Sequence, residues 1–444
     1  MTTSRLEINL AAIDHNVAAI RAVLARPNPG QSTPVQICGI VKQDAYGLGA
    51  LRIARRLSSL NVELLAVYCV VEARQLAEAH IATPILILMP VDGFERSDPL
   101  YRVAVTGRLH LVLHSERQAQ LLISAATRLG VTFPVHIQVD TGMSRGGCLP
   151  DEAERLVKLA TTHPRLRLAG LMTHFSSPGS DEPFTREQAR QFRAWIERVK
   201  PLLAAAVARG QQPCVVHAAN TAATFRAGSF HATMVRVGQG LLGYGEEAFT
   251  NPADAEFARE LTSLKPALRW MSRIVHVQEI PAGWPVGYGR TWTSTRPSRI
   301  AIVPVGYADG FPVALSNQAK VRLTGQAWDR SRTREPMASH EPAPTASSWV
   351  PVVGRVSMDQ ITLDITDAPA DLAQVGMEVE VIGATPGMPN HLPVLAEQAH
   401  SITHELMCRL SPALERQYLF THEGEAKPVV VARPLSLHLH EPAA

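Results

Sequence analysis

The chain has little cysteine, little charge imbalance and no long apolar run. Its five cysteines, Cys38, Cys69, Cys148, Cys214 and Cys408, are odd in number, widely scattered and form no CxxC pair. That argues against a disulfide framework and for reduced thiols in a cytoplasmic protein. Lys and Arg number 43 against 40 Asp and Glu, a net charge of +3, and no basic block gathers anywhere. A nucleic acid or an anionic membrane is therefore not expected as a partner. No uninterrupted apolar stretch approaches the roughly 20 residues needed to cross a bilayer. The segment from Met1 to Asn9 carries Arg5 and Glu7 and lacks the apolar core of a secretory signal. No metal-ligand spacing stands out, and His438 and His440 read as part of an idle tail.

What is present is a long alternation. At 444 residues, two to three domains are expected. Apolar runs at Gln36–Val41, Leu64–Cys69, Pro84–Met89, Leu109–His114, Val135–Asp140, Leu168–His174, Cys214–Ala218 and Thr233–Gly238 make eight strand candidates. The first six are each followed by helical spacing, as in Ala119, Leu122, Ile123 and Ala126. Strand then helix, repeated, implies a parallel sheet with right-handed crossovers. The economical form is an α/β fold with an N-terminal (β/α)8 barrel over 10–250, and a doubly wound open sheet is the alternative. From about 255 to 423, runs such as Arg273–Glu279, Ile300–Val305, Val350–Val353 and Glu378–Ile382 alternate with Gly- and Pro-rich turns. This predicts a C-terminal β-rich domain, to which 1–9 can add a strand. Residues 326–348 read as a loop insertion and 424–444 as a tail.

Polar residues gather where the strand candidates end. Lys42 lies just past the first run, His114 ends the fourth, Asp140 the fifth and His174 the sixth. His217 and Asn220 mark the seventh, and Arg236 falls in the eighth. Barrel active sites sit at the C-terminal ends of the strands. Strand ends are also where polar residues resume in any protein, so the set carries more weight than any member. Lys42 read alone is equally a lysine leaving the sheet into solvent. Its alternative is an amine able to form a Schiff base with a carbonyl, of a substrate or of pyridoxal phosphate.

The segments then read together. Val41-Lys42-Gln43-Asp44-Ala45-Tyr46-Gly47 resembles the pyridoxal phosphate lysine motif of the alanine racemases, a fold type III family. Val139-Asp140-Thr141-Gly142-Met143-Ser144-Arg145 is similar to that family's D-T-G-M-x-R segment. Thr173-His174-Phe175, His217 to Ala223, Met234 to Gly238, Val286 to Gly289, Gly306 to Gly310 and Gly354 to Gln360 also match, in the family's order.

The resemblance implies a pyridoxal 5'-phosphate enzyme that interconverts L- and D-alanine with two bases. Lys42 would hold the cofactor and serve one face, and Tyr288 of a partner subunit the other, in a homodimer with shared sites. Tyr46, Asn220, Thr221, Gly238 and Gln239 would lie at the cofactor phosphate. Arg236 would meet the ring nitrogen, oriented by His217, with His174 against the ring. Arg145, Tyr307 and Met358 would take the substrate carboxylate. Supply of D-alanine for peptidoglycan is the implied role. A broader amino-acid racemase, or a non-catalytic pyridoxal phosphate-binding protein, are the alternatives. Gln138 stands where many members carry a lysine, so a brace on Arg145 is expected to be weaker. Leu48 replaces a usual histidine, the stretch Gly240 to Gly245 is slightly longer than usual, and Ser411 to Arg416 replaces a usual C-terminal segment.

Overall fold

The computed structural model describes residues 3–26, 33–328 and 348–420, with the backbone of Val429–Val430. It divides into two compact units, Ile13–Lys265 and Met1–Ala12 with Pro266–Ala444. The expected insertion at 326–348 and tail at 424–444 lie almost wholly outside the described residues. Within the tail, however, Val429–Val430 pairs antiparallel with Gln417 and Tyr418.

Strand β1 (Arg5–Asn9) belongs to the second unit. The first unit is built on β2 (Gln36–Ile40), β3 (Leu64–Val67), β4 (Ile85–Ile87), β5 (Leu109–Leu113), β6 (Phe133–Gln138), β7 (Leu166–Met172), β8 (Val215–His217) and β9 (Met234–Val237). All are parallel, and β2 pairs with both β3 and β9, which closes the barrel and excludes the open sheet. Strands covered on both faces need apolar residues throughout, and β3 and β4 contain nothing else. Cys38, Leu64, Ala66, Leu86, Val112, Met172 and Met234 form one buried cluster. The helices have ordinary local causes. Ser115 Oγ accepts from the Gln118 N–H to start Glu116–Leu129, and Gly130, at φ +74°, ends it.

In the second unit a seven-stranded sheet runs Trp349–Pro351, Lys320–Ala327, Met377–Ile382, Leu268–Arg273, β1, Glu415–Leu419 and Val429–Val430. Strand β1 sits near its middle, antiparallel to Leu268–Arg273 and parallel to Glu415–Leu419. A three-stranded sheet joins His276–Ile280, Ser298–Val303 and Ile361–Asp364. The run read as one strand at Arg273–Glu279 is therefore two. Ile274 N–H donates to Met377 O in the larger sheet and Val275 N–H to Ile302 O in the smaller, so the chain changes sheets there. A continuous apolar pattern does not reveal such a crossing.

Candidate active site

Lys42 follows β2 after a single residue, Val41, at the C-terminal rim of the barrel. The residues after it are unusual. Gln43, Asp44, Ala45 and Tyr46 all have φ between 52° and 59°, a left-handed turn without glycine. Such backbone costs about 1–2 kcal/mol per residue for L-amino acids, so something must hold it. Glu72 Oε1 accepts from the Gln43 N–H at 2.6 Å and Asp44 Oδ1 from the Ala50 N–H at 2.7 Å. The other Glu72 oxygen accepts from Tyr68 and Cys69 N–H groups, which ties the turn to the end of β3. Strain of this kind collects at functional sites. Here it carries the Tyr46 ring back over the barrel, where a Cβ added at Gly238 would lie 2.1 Å from Tyr46 Oη. Nothing in the sequence singled out Glu72. Its only signal is an acidic residue in the first turn of Val70–Glu78. Leu48, the expected histidine position, is fully buried.

Arg236 lies on β9 beside Cys38 of β2, four residues before Lys42. It is 4% exposed and its acceptors are all neutral. Nη1 donates to His217 O at 2.8 Å and His217 Nδ1 at 3.2 Å. Nη2 donates to Thr173 O at 2.8 Å, Ala218 O at 3.0 Å and His174 Nδ1 at 3.0 Å. Among the described residues Nε has no hydrogen bond. Burial without a counter-ion pulls the guanidinium down to about 10. Burial first, and then the Arg236 charge, holds His174 and His217 well below the ordinary imidazole value. Both rings are therefore neutral, with Nδ1 as acceptor. The Lys42 and Arg145 charges add to the depression of His174, which brings those two cations near the same ring.

Arg145 sits on the loop after β6. Asp140 Oδ1 accepts from the N–H groups of Gly142, Met143 and Ser144, folding that loop into a nest. Burial would raise the Asp140 carboxyl, but these three donors outweigh it and hold the group below its ordinary value. His114 pins the far side, accepting from the Gly147 N–H at 2.8 Å. Gln138 Nε2 donates to Gly146 O at 2.9 Å. The neutral amide thus binds backbone beside Arg145, and Arg145 is exposed with no hydrogen bond or ion pair among the described residues.

Thr221 opens the helix Thr221–Arg226, and Asn220 Oδ1 caps it by accepting from the Ala223 N–H. Thr221 Oγ1 accepts from Gly238 and Gly240 N–H groups at 3.4 and 3.3 Å, both long. Tyr46, Thr221, Gly238 and Gln239 therefore meet at the ends of β2, β8 and β9. The Gln239 side chain is committed to Glu247.

The remaining candidates lie in the second unit. Tyr288 is 72% exposed on the turn Tyr288–Arg290, and Tyr307 and Met358 are exposed on neighbouring loops. Tyr307 N–H donates to Ser357 O and Ala308 N–H to Met358 O, both at 3.0 Å. Asn317 links the Tyr288 turn, through Thr291, to Gly354. One stretch of surface thus carries all three.

Known proteins are similar to this chain in sequence and fold. The alanine racemase N-terminal domain matches residues 8–246 and the alanine racemase C-terminal domain residues 267–418. Alanine racemase of Halothermothrix orenii is 32% identical over 418 residues, covering 93% of this chain and 96% of that protein. That of Sorangium cellulosum is 33% identical over 423 residues, covering 94% and 98%. Among solved structures, alanine racemase from D-cycloserine producing Streptomyces lavendulae superposes with a TM-score of 0.76 at 26% identity, covering 95% and 98%. That of Bartonella henselae, with covalently bound pyridoxal phosphate, gives 0.70 at 26% identity, covering 94% and 100%. The chain belongs to the alanine racemase family, as an eight-stranded parallel barrel followed by that family's β-rich C-terminal domain.

Proposed function

We propose that this protein interconverts L- and D-alanine with pyridoxal 5'-phosphate bound at the barrel rim. The observation that carries this reading is Arg236: a buried guanidinium whose Nη atoms are occupied by neutral acceptors and whose Nε has no hydrogen bond among the described residues. That suits a ring nitrogen as acceptor. The phosphate end also fits, since Tyr46, Thr221 and glycine backbone converge there and the space at Gly238 excludes even a methyl group. Lys42, at the same rim, would hold the cofactor covalently. When bound, the group offers the substrate α-carbon a conjugated sink for the electrons left by its proton.

The residues then divide the work. Arg145 takes the substrate carboxylate, and the Met358 backbone N–H and the Tyr307 hydroxyl, which share a surface with Tyr288, reach it from the same second copy as that phenol. Lys42 Nζ removes or returns the α-proton on one face. The Tyr288 phenol does so on the other, supplied by a second copy of this chain, and the exposure of its ring supports that assignment. Arg236 donates at the ring nitrogen without delivering a proton to it, which keeps the sink modest and limits stray transamination. His174 lies against the ring, and Asn220 and Gln239 complete the phosphate end. The enzyme works as a cytoplasmic homodimer that supplies D-alanine for peptidoglycan. No helix among the described residues is long and apolar enough to cross a membrane.

A broader substrate range is the second reading, favoured by the Gln138 amide binding Gly146 O and making no hydrogen bond to the Arg145 guanidinium among the described residues. Borohydride reduction followed by peptide mass mapping tests the primary reading. The label is expected on Lys42, and a label elsewhere or nowhere refutes the assignment. Tyr288→Phe should retain the cofactor and lose roughly 10²–10⁴-fold in turnover. A panel of L-amino acids separates the narrow from the broad activity.

A further inference from the structure

The hydrogen bonds at Arg236 continue into the barrel. His217 Nε2 lies 2.9 Å from His136 Nδ1, and His136 Nε2 lies 2.8 Å from His110 Nδ1. The three imidazoles form a line from the rim at β8, through β6, to the second residue of β5 at the opposite end of the barrel. Gly170 on β7 makes the line possible. It is paired with His136, and a Cβ there would lie 2.1 Å from His136 Nδ1. The missing side chain lets the imidazole of β6 reach across β7 to β8. No carboxylate takes part in any of these bonds.

The direction of every bond follows from its first member. A guanidinium can only donate, so His217 Nδ1 accepts. A neutral imidazole has one donor and one acceptor, so His217 Nε2–H must donate to His136 Nδ1. His136 Nε2–H must in turn donate to His110 Nδ1. Neutrality is enforced along the line. Arg236 stands at one end and the Arg167 charge bears on His110 and His136 at the other, while burial penalises a second proton on all three rings. His110 is the one member that is only partly buried.

We infer that His136 and His110 are positioning residues that lock His217 in its Nε2–H tautomer and thereby hold the Arg236 guanidinium in one orientation. This rests on the reading of Arg236 as the ring-nitrogen partner. The relay does what an orienting carboxylate does elsewhere, but without neutralising the arginine. In His136→Leu the His217 Nε2–H loses its only acceptor among the described residues. The alternative tautomer then points Nδ1–H at Arg236 Nη1, donor against donor, and the guanidinium must move.

Neutron diffraction on the full-length protein reads the tautomers directly. Protons are expected on Nε2, and not on Nδ1, of His217, His136 and His110. A proton on His217 Nδ1, or a doubly protonated ring, overturns the inference whatever any variant does. The companion test compares His136→Leu with His136→Asn, whose Oδ1 can replace the lost acceptor. His136→Leu should lose about tenfold in kcat with an unchanged KM for alanine, and His136→Asn should recover most of it. Equal kcat in both variants and the wild type refutes the relay. Failure of Lys42 to take the borohydride label would sink the functional reading and leave the tautomer result standing.

Discussion

Two regions of this molecule bury arginines, and they treat the charge in opposite ways. In the barrel, Arg236 is surrounded by carbonyls and imidazoles alone. In the seven-stranded sheet, Arg5 reaches Glu7 and Glu378 at 2.9 Å, and Arg269 and Arg322 each reach Glu380 at 2.8 Å. Arg5 also lies 4.3 Å from the centre of the Trp328 ring. The sheet arginines are neutralised where they stand, and such arrays contribute geometry more than stability. The barrel arginine has no counter-ion, and its Nε has no hydrogen bond among the described residues, as the proposed ring-nitrogen role requires. The same residue type is held by carboxylates in one place and by neutral acceptors in the other, and only the second leaves the charge open for the proposed chemistry.

Arg236→Glu breaks the comparison most severely. It puts a carboxylate where the site excludes one, and racemisation should fall by roughly 10³-fold, measured as alanine turnover, with a rise in transamination. Glu380→Gln is the converse experiment. It leaves Arg269 and Arg322 without their shared partner and should cost about 3–5 kcal/mol in denaturant unfolding, with unchanged activity per folded molecule. If it cost nothing, the sheet array would be ornamental. Asp140→Asn weakens the nest that carries Arg145 and should raise the KM for alanine by about tenfold with little change in kcat.

The smallest effect is on pH dependence. Burial would raise the Glu380 carboxyl, but Arg269, Arg322 and the hydrogen bonds from Arg322 and Asn390 outweigh it and hold it below its ordinary 4.5. A depressed carboxyl stabilises the fold above its unfolded value, and that stability is lost as pH falls through the folded one. Acid unfolding of the wild type below pH 4.5 should therefore be steeper than that of Glu380→Gln.

The barrel was legible because its strands are short apolar runs at regular intervals, and the rim residues because their chemistry clusters at the ends of those runs. Three features were not. The left-handed turn at Gln43–Tyr46 contains no glycine, so local preference argues against the conformation the braces impose. His110 and His136 read as ordinary strand residues, since a lone imidazole in an apolar run gives no hint of another one strand away. The sheet crossing at Ile274–Val275 is hidden inside one apolar pattern.

Strand β1 has a consequence for how the protein is made. Arg5 and its partner Glu378 are 373 positions apart, and β1 pairs with Leu268–Arg273 and Glu415–Leu419, so it waits for the whole barrel to be synthesised before it meets a strand. The barrel, assembled from neighbouring segments, can mature during that interval. A strand left unpaired so long is an aggregation hazard, and the alternation of Arg5 and Glu7 with Leu6 and Ile8 keeps one of its faces charged while it waits. Truncating the chain before Leu268 should therefore leave a finished barrel and an orphaned β1.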